Sequence, residues 1–205
     1  MNHVNLFFPE RKRMSTGTVQ RDAGIYRSEL APHFIVNALI RLPVMIQRNP
    51  ENAVMFTKCL SMLYRDILEM GSEDFVPLSR EMDLLNSYVN LLKIDFGDSI
   101  QIRYENKVHR DLHIVPVSLQ LLMENAVKHN YFSHGQPLDV DITISEKFIR
   151  FSNKVRHKEY SSFSGKRGLK NLDARCLLVT GRSIKIEENR AEFSVRLPLI
   201  QLPYA

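Results

Sequence analysis

Four polar residues in one short stretch pose the first chemical question. In Met123-Glu124-Asn125-Ala126-Val127-Lys128-His129-Asn130, Glu124 and Lys128 stand four apart, and so do Asn125 and His129. On a helix that spacing projects a carboxylate, an amide, an ammonium and an imidazole from neighbouring positions near one end. Together such groups can hold a Mg²⁺ ion and the oxygens of a phosphate chain. A solvated helix face with a single Glu–Lys pair is the plainer alternative. The helix itself is well marked. Pro116 suits a first turn, and Leu119, Leu122, Met123, Ala126 and Val127 recur as a core-facing stripe.

Composition limits what can position these residues. The 205 residues, 44% hydrophobic and 25% charged, suffice for one substantial soluble domain plus a smaller element. No apolar run approaches the roughly 18 residues that cross a bilayer. Leu6, Phe7 and Phe8 precede Arg11-Lys12-Arg13, which is too short and wrongly ordered for a secretory signal. Cys59 and Cys176 sit inside apolar patterns and read as buried free thiols in a reducing cytoplasm. A net charge of +5 permits acidic partners, ATP included. The Lys and Arg residues are scattered and carry no stacking-aromatic motif, so direct nucleic-acid binding is not expected.

Residues 1–25 lack sustained periodicity and read as a loosely ordered tail. From Tyr26 the pattern turns helical, with Ile35, Leu39, Leu42 and Ile46 on one stripe through Arg48. Asn49-Pro50 breaks it. A second pattern runs through Val54, Leu60, Leu63, Tyr64, Ile67 and Leu68 to Gly71. The result is a helical hairpin over 26–75, too small to bury its faces alone, so pairing with a second copy in a four-helix bundle is expected. Ser72-Glu73-Asp74 forms a polar joint. Over 76–205, Pro77-Leu78-Ser79 opens a helix that Ser79 can cap, running through Leu92 to near Gly97. Strands are expected at Ile100–Tyr104, Val140–Ile144 and Phe148–Phe151, a helix at Gly168–Val179, and a final hairpin over Ile184–Ile186 and Phe193–Leu197. The fold class is α+β, a helical hairpin followed by a helix layer on a mixed sheet.

Three segments carry a family resemblance. Leu30-Ala31-Pro32-His33-Phe34-Ile35-Val36-Asn37-Ala38-Leu39 resembles the phospho-acceptor segment of LytS-type sensor histidine kinases, usually close to PHFLFNALN. Met123–Asn130 resembles that family's N box, and Gly168-Leu169-Lys170-Asn171-Leu172-Asp173-Ala174-Arg175 its GLxNxxxR segment. They stand in the family's order, over roughly residues 28–199. The resemblance implies a dimerising acceptor hairpin over 26–75 and a GHKL (Bergerat) ATP-binding sandwich over 76–205. It implies ATP and Mg²⁺, with Asn125 as the metal ligand and Lys128 and His129 facing phosphate. His33 is then the nucleophile on the outer surface of the bundle, and Glu124 takes or orients its proton. Gly165 and Gly168, with Lys166 or Arg167, would form a lid over the phosphates, with Leu169 and Asn171 beside it. The implied partners are a second copy and a response regulator, often of the LytTR type. A membrane would be involved only through a separate sensor region, and the chain itself would be cytoplasmic.

The sequence also departs from that family. Where its members place Asp-Xaa-Gly after the middle strands, this chain reads Phe151-Ser152-Asn153-Lys154-Val155. Asn153 can still meet adenine, since an amide both donates and accepts. Lys166 replaces the first glycine of the usual GxGL lid. These losses motivate an alternative, a degenerate kinase that dimerises and docks a regulator without catalysis. Intact His33, Glu124 and Asn125 oppose it, because a scaffold requires none of them. Arg175 reads as a solvated helix residue outside the site.

Overall fold

Asn49 divides the first apolar stretch in two. Its side-chain oxygen accepts from the Asn52 N–H at 3.0 Å, and Pro50 occupies the first turn beyond it. One helix, α1 (Pro32–Arg48), therefore ends here and a second, α2 (Pro50–Gly71), begins. The computed structural model describes residues 32–106, 108, 111–156 and 165–202, with the backbone alone for 32–34 and 165–166. The expected N-terminal tail, residues 1–25, lies outside the described residues.

The hairpin follows its expected stripes in part: Leu60, Leu63 and Ile67 are buried, and Ile35, Leu42 and Tyr64 pack against the core. Ala38 and Met45 of α1 are buried with Ala53, Phe56, Leu60, Leu63, Ile67 and Met70 of α2. Leu39 and Ile46, expected in the stripe, are exposed, as are Ile40, Val54, Met62 and Leu68. The reason is that α1 is apolar on more than one side, so its period does not single out the side that meets α2. Cys176 is buried as expected, and burial pushes its thiol up to about 12. Cys59 is only partly buried.

A short strand, β1 (Val76–Pro77), leads into α3 (Leu78–Phe96) and pairs antiparallel with β3 (His113–Ile114). Ser79 does not cap α3. The helix begins at Leu78, with Pro77 at the capping position and no side-chain cap. The main sheet takes β2 (Ile100–Asn106), β4 (Leu138–Ile144), β5 (Phe148–Lys154), β6 (Lys185–Glu188) and β7 (Glu192–Pro198) in the order β2-β4-β5-β7-β6. The β2–β4 pair is parallel and the rest antiparallel. Two further helices, α4 (Ser118–His129) and α5 (Gly165–Thr180), complete the fold. Packing pairs α3 with β2, α4 with β5 and α5 with β7, and α4 touches both other helices, so the three form one layer. The α+β class follows: a helical hairpin, then a helix-covered mixed sheet. No described helix is long and apolar enough to cross a membrane.

The helix bearing the four polar residues starts later than its sequence suggests. Pro116 and Val117 form a turn before Ser118, and Val117 adopts φ +61°, a left-handed conformation rare for a β-branched residue. Two charged groups hold that turn. The Glu81 carboxylate, fully buried, accepts from the N–H groups of Val117 (2.8 Å) and Leu119 (2.7 Å). Arg175, also buried, donates from Nη2 to the Pro116 carbonyl at 2.8 Å. Arg175 is a buried clamp on the turn, where the sequence reading placed a solvated side chain.

Burial pushes Glu81 up to about 7, against the opposing pull of the Leu119 and Val117 N–H groups and the Arg175 charge. An acid with a raised folded-state pKa stabilises the fold below its unfolded value, and that contribution fades as pH rises through the folded one. We expect stability to decline between pH 4.5 and 7, by at most about 3 kcal/mol. Denaturant midpoints across that window should flatten in Glu81→Gln; an unchanged slope would assign the effect to other groups.

Candidate functional site

The apolar stripe of α4 lies in the core as its spacing requires. Leu119, Leu122, Met123, Ala126 and Val127 are all buried. Glu124, Asn125, Lys128 and His129 are half-buried on the remaining face. Gln120 Nε2 approaches Glu124 Oε2 at 3.4 Å. The charge of Glu124 also acts on the buried Tyr88 hydroxyl of α3, whose pKa burial pushes up, with Glu124 adding to the rise and Arg41 opposing it. Asn125 is different. Its amide nitrogen is buried and has no hydrogen-bond partner, a state that normally costs about 1–3 kcal/mol.

Asn153 presents the same anomaly on β5. It is 2% exposed, and its amide nitrogen donates to the Lys154 carbonyl at 2.8 Å. Its carbonyl oxygen is buried and accepts nothing. The segment after β5 is pinned to the end of α4, because Asn130 Oδ1 accepts from the Arg156 N–H at 2.8 Å and Tyr131 N–H donates to the Arg156 carbonyl at 2.7 Å. The strand holding Asn153 and the helix holding Asn125 are thus fixed to one another, leaving one orphaned amide atom on each.

Gly168 rests beside α4, where an added Cβ would meet Leu121 at 3.8 Å, an ordinary contact. Leu169 packs against the core and Asn171 is half-buried. The expected lid differs. Gly165 through Gly168 form the first turn of α5 rather than a loop ahead of it. Residues 157–164, just ahead of that segment, lie outside the described residues. His33 falls in the first turn of α1, and its side chain is likewise outside what the structure describes. A cavity of about 420 Å³ between α3 and β2, lined by Asn86, Lys93 and Tyr104 among others, contains none of these candidates.

The donor set suits a phosphate-bound Mg²⁺ better than a protein-caged metal. Among the described residues, no three His, Cys, Asp or Glu side chains gather as a metal site. Mg²⁺ commonly takes only one or two protein ligands and completes its shell with phosphate and water. The Asn125 amide oxygen is a donor of the kind such an ion takes, and its unpartnered nitrogen could donate to a phosphate oxygen.

Comparison with known proteins decides the kinship. Residues 24–100 match the model of the histidine kinase family. The sensor protein LytS of Streptococcus mutans is 29% identical over 121 residues, 59% of this chain and 21% of that protein. This chain is related to the LytS-type sensor histidine kinases. The sensor histidine kinase/phosphatase LytS of Staphylococcus aureus is 27% identical over 120 residues, 58% of this chain and 20% of its own length. The chain therefore spans about a fifth of the LytS proteins it matches. Among solved structures, the cytoplasmic segment of the histidine kinase QseC aligns with a TM-score of 0.42 at 18% identity, over 60% of this chain and 75% of that one. The residues that sequence reading missed in this chain are Glu81 and Arg175, which fix the turn into α4. Arg175 closes the GLxNxxxR segment and was open to discovery there; Glu81 offered no signal.

Proposed function

We propose that this chain is an ATP-dependent protein-histidine kinase that phosphorylates His33 and acts as a homodimer. One observation carries the reading: two buried amide atoms, Asn125 Nδ2 and Asn153 Oδ1, lack partners on elements pinned to each other. Native proteins seldom leave such groups unmet, and a bound nucleotide supplies what each lacks. The Asn153 oxygen suits the adenine amino group, in the place of the missing Asp. Asn125 suits the metal-bridged phosphates.

In this reading the hairpin, 26–75, is the acceptor and dimerisation unit and 76–205 the ATP-binding unit. Asn125 would hold Mg²⁺, which would supply positive charge to the phosphates, and Lys128 and His129 would face the phosphate oxygens. A neutral imidazole of His33 attacks the γ-phosphorus, forming a P–N bond as the bond to ADP breaks, and Glu124 takes the imidazole proton. An unperturbed histidine is largely neutral at cytoplasmic pH, so the nucleophile requires no unusual activation. Gly165, Gly168, Leu169 and Asn171 border the phosphates from the start of α5. The phosphoryl group then passes to an aspartate on a response regulator, a LytTR-type one among the candidates, and the chain acts in the cytoplasm. The exposed apolar residues of both hairpin helices, Ile40 and Met62 most of all, supply the surface for a second copy.

Incubation with γ-labelled ATP and Mg²⁺ tests the proposal. Acid-labile, alkali-stable label is expected. A chain that binds no nucleotide would instead be the regulator-docking scaffold that the missing Asp-Xaa-Gly motivates. Asn153→Asp supplies a separate check. A carboxylate accepts more strongly than an amide carbonyl, so ATP affinity should hold or rise, up to about tenfold. A sharp loss, read by calorimetry, would place adenine elsewhere.

A further inference from the structure

Arg41 of α1 reaches the far end of α3. Its Nη1 lies 2.7 Å from Asp95 Oδ2, and its guanidinium carbon stands 4.5 Å from the centre of the Phe96 ring. Phe96 meets Phe132 edge to face at 5.0 Å, and Phe132 is the third residue beyond α4. Cation, ring and ring thus join α1 to the end of the helix that carries Lys128 and His129. Tyr88 reports the same closeness, since Arg41 and Glu124 both act on its hydroxyl.

The contact does little for the hairpin, whose helices meet through Ala38 and Met45. It does little for stability either, because both partners are partly exposed and such pairs are weak. A second clasp sits at the joint between the hairpin and α3, where Arg80 bonds Glu73 and lies 3.8 Å from Glu69. With the joint held there, Arg41 supplies a second point of attachment, and two points fix an orientation that one leaves free.

We propose that Arg41 is a positioning residue for phosphoryl transfer: seated on Phe96 and Asp95, it docks the acceptor helix against the phosphate-facing end of α4. His33 lies eight residues away on the same helix, about 12 Å along its axis. The inference rests on the kinase reading. Displacements of about an ångström in reacting groups change rates by roughly a hundredfold, so a loosened dock lowers turnover more than nucleotide affinity.

The test uses the whole chain with γ-labelled ATP and Mg²⁺. Arg41→Ala should label at least roughly tenfold more slowly at saturating ATP, with an unchanged KM for ATP. Arg41→Lys, which keeps the charge but loses the flat stacking surface, should fall between. Exchanging the pair, Arg41→Asp with Asp95→Arg, should recover part of the rate lost in either single charge reversal. Should the exchanged chain melt early, Asp95→Asn alone carries the expectation of slower labelling at constant KM. Labelling of Arg41→Ala at or above the wild-type rate would overturn the inference and leave the kinase reading standing. So would a KM that rises in step with the loss. A wild-type chain that takes no label while binding ATP would overturn both.

Discussion

His33→Ala is expected to bind ATP with wild-type affinity and to take no label from it. The distinction follows from where the residue sits. His33 belongs to the first turn of α1, whereas Asn125, Lys128 and Asn153 belong to the helix-covered sheet. On the proposed chemistry, removing His33 deletes the P–N bond that would hold the label, so the expected loss is complete rather than partial. It removes nothing from the elements that carry the binding groups. An alanine variant that also lost nucleotide would mean that the acceptor helix lines the binding site itself, against the proposed division between hairpin and sheet.

Asn125→Ala should behave in the opposite way. It is expected to cut labelling by at least about a hundredfold and to weaken Mg-ATP binding, because on the proposed chemistry Asn125 is the metal's protein ligand. Folding stability should be unchanged or slightly higher. The wild-type amide nitrogen is buried without a partner, and removing an unmet polar group relieves a cost rather than breaking a bond. Loss of function with retained or raised melting temperature is the signature of a residue kept for its ligand. A variant that melted several degrees lower would reassign Asn125 to the architecture.

How much of this was legible beforehand depended on whether a residue's role was local. The stripe through Leu119, Leu122 and Ala126 and the polar set from Glu124 to His129 are properties of one helix, and one period reveals them. The break at Asn49-Pro50 was equally local, a cap and a first-turn proline side by side. The start of α4 was not. Val117 holds φ +61° because Glu81 and Arg175 bond the turn from 36 positions earlier and 59 positions beyond Pro116. Glu81 sits between Arg80 and Met82 in a helix that reads as ordinary, and only tertiary packing reveals a buried carboxylate. The hairpin misled for the opposite reason: α1 offers apolar residues on several sides, so Leu39 and Ile46 fit a stripe as well as Ala38 and Met45 do. Gly165 and Gly168 read as loop formers, yet a glycine is tolerated in a first helical turn, where little of the intrahelical bonding depends on it.

The most direct measurement is site mapping of the phosphoryl group by mass spectrometry, under alkaline conditions that preserve a P–N bond, after the full chain has met Mg-ATP. The account predicts a single phosphohistidine, on His33, absent when Asn125 is alanine. A phosphoryl group on another histidine, or a nucleotide-loaded chain with none at all, would contradict it.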